Sequence, residues 1–194
     1  MATGDEVPLT RISPAKAVKA SVAELSWREW LGLAAGLLAL VALFFPWTVL
    51  TSGNPDVQAA LGELPQGDVT RSAWNSTFFA WFPPLLVLLM GLVVGVFGRV
   101  PSARTAGLPH LWLIAAVVAV VSLVLGWVLI DLQFGKDVRG VLDAGGVAVG
   151  AGVGRYLALV AGAASLVAAV FDLLAARAEF RAPRKAPRNP PRRR

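Results

Sequence analysis

At 194 residues, with 56% hydrophobic residues, 15% charged residues and a mean hydropathy of +0.65, the chain is too apolar for an ordinary soluble domain. It contains no cysteine, which excludes disulfides, thiolate metal sites and a cysteine nucleophile. Its net charge of +6 is spread unevenly, and the distribution is more informative than the sum.

The apolar residues gather in four windows of twenty: Leu31–Leu50, Phe78–Phe97, Leu111–Ile130 and Tyr156–Ala175, the last interrupted by Asp172. Twenty helical residues rise about 30 Å, the thickness of a bilayer's hydrocarbon layer. The expected fold class is all-α: a polytopic membrane protein, a four-transmembrane-helix bundle with short loops. The predicted division has a cytoplasmic N-terminal tail over residues 1–26 and a transmembrane domain over 27–176. Within that domain, helices are placed at about 27–50, 74–99, 109–131 and 153–177, followed by a disordered basic cytoplasmic tail over 177–194.

In chain order, residues 1–26 are polar and of mixed charge, too long and too acidic for a signal-peptide start, so the first helix is expected to remain as an anchor. Ala17–Trp30 fits a short interfacial helix. Trp27 and Trp30 stand at one interface of helix 1 and Trp47 at the other, because indole rings favour the headgroup level. Pro46 should kink or end that helix. The first loop, 51–73, is rich in turn formers, with room for two helical turns over Asp56–Leu64. Helix 2 contains Pro83-Pro84: either it begins there or it begins earlier and kinks, and the apolar Phe78–Phe82 stretch favours the second. Trp74 is its outer anchor, and Gly91 and Gly95 form a small-residue packing pair.

Pro109 suits the first turn of helix 3, which Trp112 and Trp127 bracket. In the second loop, Asp137–Ala144 has the length of a short helix, and a glycine run follows. Gly146, Gly150, Gly154, Ala158 and Gly162 recur every four positions, which on a helix makes one bare face for close packing. Tyr156 is the outer anchor of helix 4. Beyond Arg177 the tail is arginine- and proline-rich, and Arg184, Lys185, Arg188, Arg192, Arg193 and Arg194 are expected to contact anionic lipid headgroups.

With both termini on one side, that side carries 14 of the 18 Lys and Arg residues. Basic residues stay cytoplasmic, so the termini are predicted inside and both long loops outside a plasma membrane.

Phe45-Pro46-Trp47 after helix 1, Ser72-Ala73-Trp74 before helix 2 and Gly152-x-Gly154-Arg155-Tyr156-Leu157 opening helix 4 form a set. Over roughly residues 26–176 the chain resembles uncharacterised small four-helix integral membrane proteins of actinobacterial type, with their late Gly-x-Gly-x-Tyr-Leu signature. The resemblance implies the architecture and no particular chemistry. Pro83-Pro84 and the arginine tail depart from it.

Catalytic and ligand-binding patterns are scarce. The glycine run has no full GxGxxG or GK[ST] ending and no preceding strand is read, so phosphate binding is not expected. Asp172 lies inside a span, where ionisable residues often mark ion paths, but a pair with Arg177 one turn away explains it more simply. Arg155 is expected to pair with Asp131 or Asp143. His110 is the one histidine and sits at an inner boundary, so no Ser/His/Asp set can form in the outer loops. An enzyme would have to rely on a pair such as Asp137 and Asp143, and transport on the Pro83-Pro84 break with Ser122 and Ser165. The expected role is therefore non-enzymatic and structural, packing through small-residue faces, with transport of a small solute or lipid as the alternative. No catalytic residue, metal or cofactor is expected. The lipid bilayer is the expected partner, with another membrane protein or a second copy as further candidates and no nucleic acid.

Overall fold

The computed structural model describes residues 25–130 and 135–181. Its described elements are α1 (Trp27–Ala42), β1 (Pro46–Ser52), α2 (Pro55–Glu63), α3 (Gln66–Val69), β2 (Thr70–Ser72), α4 (Phe78–Phe97), α5 (Pro101–Thr105), α6 (Leu108–Val128), α7 (Lys136–Ala144), β3 (Val147–Ala151) and α8 (Val153–Arg181). A single 3₁₀ turn, Ala73–Asn75, precedes α4.

Among the described residues three helices are long and apolar enough to cross a membrane: α4, α6, and α8 over Val153–Glu179. The fourth expected span is shorter than its 27–50 window, since α1 has 16 residues. Pro46 explains the stop. Its ring would clash with the Ala42 carbonyl if the helix continued, and that carbonyl instead accepts the Trp47 indole N–H at 2.8 Å. The residues after Pro46, rich in Thr and Val, run extended as β1.

The expectation of an all-α chain with short loops is corrected here. The two long connections fold together into a three-stranded antiparallel sheet of order β2-β1-β3. Thr48 of β1 faces Ala151 and Ser52 faces Val147 across the β1–β3 pair, and an irregularity between Pro46 and Thr48 offsets the β1–β2 pair. With α2 and α7, which fall where the sequence suggests short helices, and with the single turn of α3, this sheet caps one end of the bundle.

The helices pack through small residues. Buried positions are dominated by alanine, among them Ala35, Ala39, Ala116, Ala119, Ala161 and Ala168. Large side chains such as Leu37, Leu92, Ile114, Val121 and Val160 point outward. That inversion suits hydrocarbon around the bundle, where close backbone approach replaces hydrophobic burial as the cohesive force. α1 and α4 come closest. A Cβ on Gly91 would lie 2.6 Å from the Gly32 carbonyl oxygen, and one on Gly95 2.8 Å from the Leu33 side chain. Trp112, near the start of α6, is fully buried against Gly32, with its indole N–H donated to Ser165 Oγ at 3.2 Å.

The small-residue seam differs from expectation at its outer half. Gly154, Ala158 and Gly162 lie on α8, but Gly146 and Gly150 precede it. Gly146 turns into β3 with φ +64°, a left-handed conformation that glycine adopts without strain. Gly150 is a strand residue paired with Val49. Their four-residue spacing therefore makes no helix face.

Pro83 and Pro84 sit buried inside α4, which begins at Phe78 and runs through them. Proline at 83 leaves the Phe79 carbonyl without its helical donor, and Gly126 of α6 approaches there, where a Cβ would stand 3.2 Å from that oxygen.

Candidate functional site

Two polar clusters mark the two ends of the bundle. At the capped end, Arg155 enters in the first turn of α8 and its side chain turns inward, leaving the residue 6% exposed. Its Nε–H donates to the Trp47 carbonyl at 2.7 Å, Nη1 to the Gly126 carbonyl at 2.6 Å and Nη2 to Thr48 Oγ1 at 3.4 Å. The guanidinium also lies 6.0 Å from the Trp47 ring centroid, within cation–π reach. Among the described residues no carboxylate stands within ion-pair distance of it. Asp143, one of its two expected partners, is exposed on α7, and Asp131, the other, lies outside the described residues. The cation is held instead by polar oxygens from β1 and α6. A cavity of about 10 Å³ beside it, lined by Trp47, Thr77, Phe79 and Gly126, has room for roughly one water.

A strand does precede α8, contrary to the sequence reading, but the geometry is not that of a phosphate loop. A Cβ on Gly152 would meet the Pro46 backbone, and one on Gly154 would lie 2.6 Å from the Trp47 ring. The glycines let β1 and its tryptophan press against the start of α8, filling the space an anion would need.

At the opposite end the cluster is ionic. Asp172 is buried on α8, with Arg28 Nε at 3.6 Å and Arg104 Nη2 at 3.5 Å from its Oδ1. The expected local pair with Arg177 is thus replaced by arginines from α1 and α5, while Arg177 is exposed. Glu29 is also buried. It closes a capping box with Ser26, accepting the Ser26 backbone N–H at 2.7 Å, and faces Arg99 Nε at 3.7 Å. Gly98 makes room for it, since a Cβ there would lie 2.7 Å from Glu29 Oε1. Arg104 further donates to the Gly98 carbonyl at 3.3 Å and reaches Glu179 at 3.9 Å.

Of the tryptophans and tyrosine expected at the interfaces, Trp27, Trp30, Trp74 and Tyr156 are exposed, and Trp127 stacks edge-on with Tyr156 at 4.9 Å. Trp47 and Trp112 are corrected: at 2% and 0% exposure they are interior side chains that bind helices together. Arg184, Lys185, Arg188, Arg192, Arg193 and Arg194 lie outside the described residues. His110 is exposed at the start of α6, Ser122 is half-buried, and Asp137 and Asp143 are both exposed on α7. Among the described residues no group of three His, Asp or Glu side chains could hold a metal.

Glu29, Arg28, Arg99 and Arg104 are the residues that sequence reasoning passed over. The Ser26-x-x-Glu29 spacing is a capping-box signature and could have pointed to Glu29. The arginine partners come from other parts of the chain, Arg99 from the turn between α4 and α5, and leave no local pattern. Comparison with protein-family models, curated proteins and solved structures finds no match for this chain.

Proposed function

We propose that the chain is a four-span integral membrane protein of the plasma membrane. Both termini are cytoplasmic, and the folded cap is presented outside as a non-enzymatic contact surface for another membrane protein or a second copy. α1 is counted as the additional span because its two ends share the polar clusters that bound α8. Arg28 meets Asp172 at one end, and the Trp47 that follows α1 meets Arg155 at the other. Residues 155 and 172 are 17 steps apart on α8, about 25 Å along its axis. That is close to the depth of the hydrocarbon layer.

The cap carries the functional reading. Among the described residues β3 is an edge strand whose outer side has no partner, and edges of this kind are templates for pairing. Beside it, α7 shows Val138 and Val141 to the outside, Val141 at 73% exposure. Transport has less support: α4 runs unbroken through its prolines, and Ser165 at mid-helix is bound to Trp112.

Because the chain lacks cysteine, single-cysteine variants give a clean test. A membrane-impermeant maleimide should label Ala148→Cys in intact cells and Thr105→Cys only after lysis. A short-range cross-linker should then join Ala148→Cys to one discrete species, while Val160→Cys on the outer surface of α8 gives none. Equal labelling of both sides would overturn the topology, and cross-linking of Ala148→Cys no stronger than that of Val160→Cys would overturn the contact role.

A further inference from the structure

At the ionic end, a groove of about 330 Å³ opens between the end of α4, the short α5 and the last turns of α8. It is lined by Arg99, Pro101, Arg104, Thr105, Ala176 and Glu179. We propose that this groove holds the headgroup of one anionic phospholipid, with the phosphate against Arg99 and Arg104. The proposal rests on the membrane reading above for the level of the groove, but on neither the orientation of the chain nor the contacts of its cap.

Three observations support this occupant. First, the charge is complementary. The described ionisable side chains at this end comprise Arg28, Arg99, Arg104, Arg177 and Arg181 against Glu29, Asp172 and Glu179, an excess of two positive charges. Second, Arg104 is placed to bind more than it holds. Its contacts to Asp172 and Glu179, at 3.5 and 3.9 Å, are longer than the roughly 2.7–2.9 Å of a closed charge-assisted hydrogen bond. A guanidinium fork matches phosphate oxygens, and its side chain is 22% exposed. Third, the groove borders an apolar surface. Phe97 and Val100, beside Arg99, are exposed and offer a track for an acyl chain, which a free phosphate would not use.

Glu179 is then the competitor at the site. Its side chain is 66% exposed and reaches Arg104 only at 3.9 Å, so it can yield to a phosphate. Basic pockets between helices at a membrane surface are a known form of lipid headgroup site.

The test uses the full chain in zwitterionic micelles, titrated with phosphatidylglycerol or phosphatidylcholine of the same acyl chains, with bound lipids counted by native mass spectrometry. One phosphatidylglycerol should bind in preference to phosphatidylcholine. Arg99→Gln should weaken it about fivefold, and Glu179→Gln should strengthen it by a similar factor. Millimolar inorganic phosphate should not displace it. Equal binding of the two lipids, displacement by phosphate, or unchanged affinity in Glu179→Gln would each overturn the proposal. Glu179 is a surface residue, so its variant decides the matter even where Arg99→Gln fails to fold. Micelles have no sidedness, so a failure here is distinct from a failure of the labelling and cross-linking test.

Discussion

The two ends of the bundle bury charge by different means. At the capped end a single cation, Arg155, is tied to fixed acceptors, two of them backbone carbonyls of β1 and α6. At the other end Asp172 and Glu29 face arginines on flexible stems at 3.5–3.7 Å. Hydrogen bonds to carbonyls are directional and fix a geometry. Ion pairs at these distances fix a charge balance and leave geometry freer. The capped end is thus built for rigidity, holding the sheet on the helices, and the ionic end can exchange partners with the groove beside it.

The largest effect is expected where the capped end is unwired. Arg155→Ala removes the guanidinium's bonds to the Trp47 and Gly126 carbonyls and to Thr48 Oγ1, and leaves the Trp47 oxygen only the Gly152 N–H at 3.0 Å. Hydrogen bonds to a charged group contribute about 1.5–3 kcal/mol each, so the variant should lose about 3–5 kcal/mol. Arg155→Lys should recover less than half, because an ammonium cannot reproduce the planar fork that reaches β1 and α6 together. Unfolding in mixed micelles, followed by tryptophan fluorescence, measures both. A loss below about 1 kcal/mol for Arg155→Ala would show that the cap is held by the sheet alone.

At the ionic end, Asp172→Asn keeps shape and removes the charge between Arg28 and Arg104. The two guanidiniums then face each other across a neutral amide, and a loss of about 1–3 kcal/mol is expected, smaller than at Arg155 because both arginines are partly exposed and can turn to water. The same unfolding assay checks it. A loss equal to that of Arg155→Ala would erase the contrast between the two ends.

Which of these features the sequence makes legible depends on how local each is. Three of the four twenty-residue apolar windows fall on helices long enough to span, and α8 begins at Val153 where the pattern places it, whereas the first window is divided between α1 and β1. Two short helices in the loops also follow from local spacing. The sheet does not, because Trp47–Leu50 continues an apolar run and a short apolar run has no period that separates strand from helix. β3 is hidden for a related reason. Val147 and Val149 alternate with small residues at period two, but the glycines at 146, 150 and 154 overlay a period of four that reads as a helix face. At the clusters, the charges are visible in sequence and their partners are not. Asp172 has Arg177 five residues on, yet binds arginines 68 and 144 positions away, because only the packing of α1 and α5 on α8 brings them near.

The smallest expected effect sharpens the contrast most directly. Salt screens exposed charges over about 10 Å at 0.1 M and about 3 Å at 1 M. At the ionic end, Arg99 and Arg104 are partly exposed and Glu179 mostly so, and their pairs should weaken as salt rises. Arg155 is bound to carbonyl dipoles out of water, where added ions do not reach. Raising salt from 0.1 to 1 M should therefore lower wild-type stability by under about 1 kcal/mol. Asp172→Asn should show less of that dependence, having lost part of the network. Arg155→Ala should keep all of it, because its defect lies at the other end. If Arg155→Ala instead lost the salt dependence, the two clusters would be coupled through α8 and the ends could not be treated as separate devices.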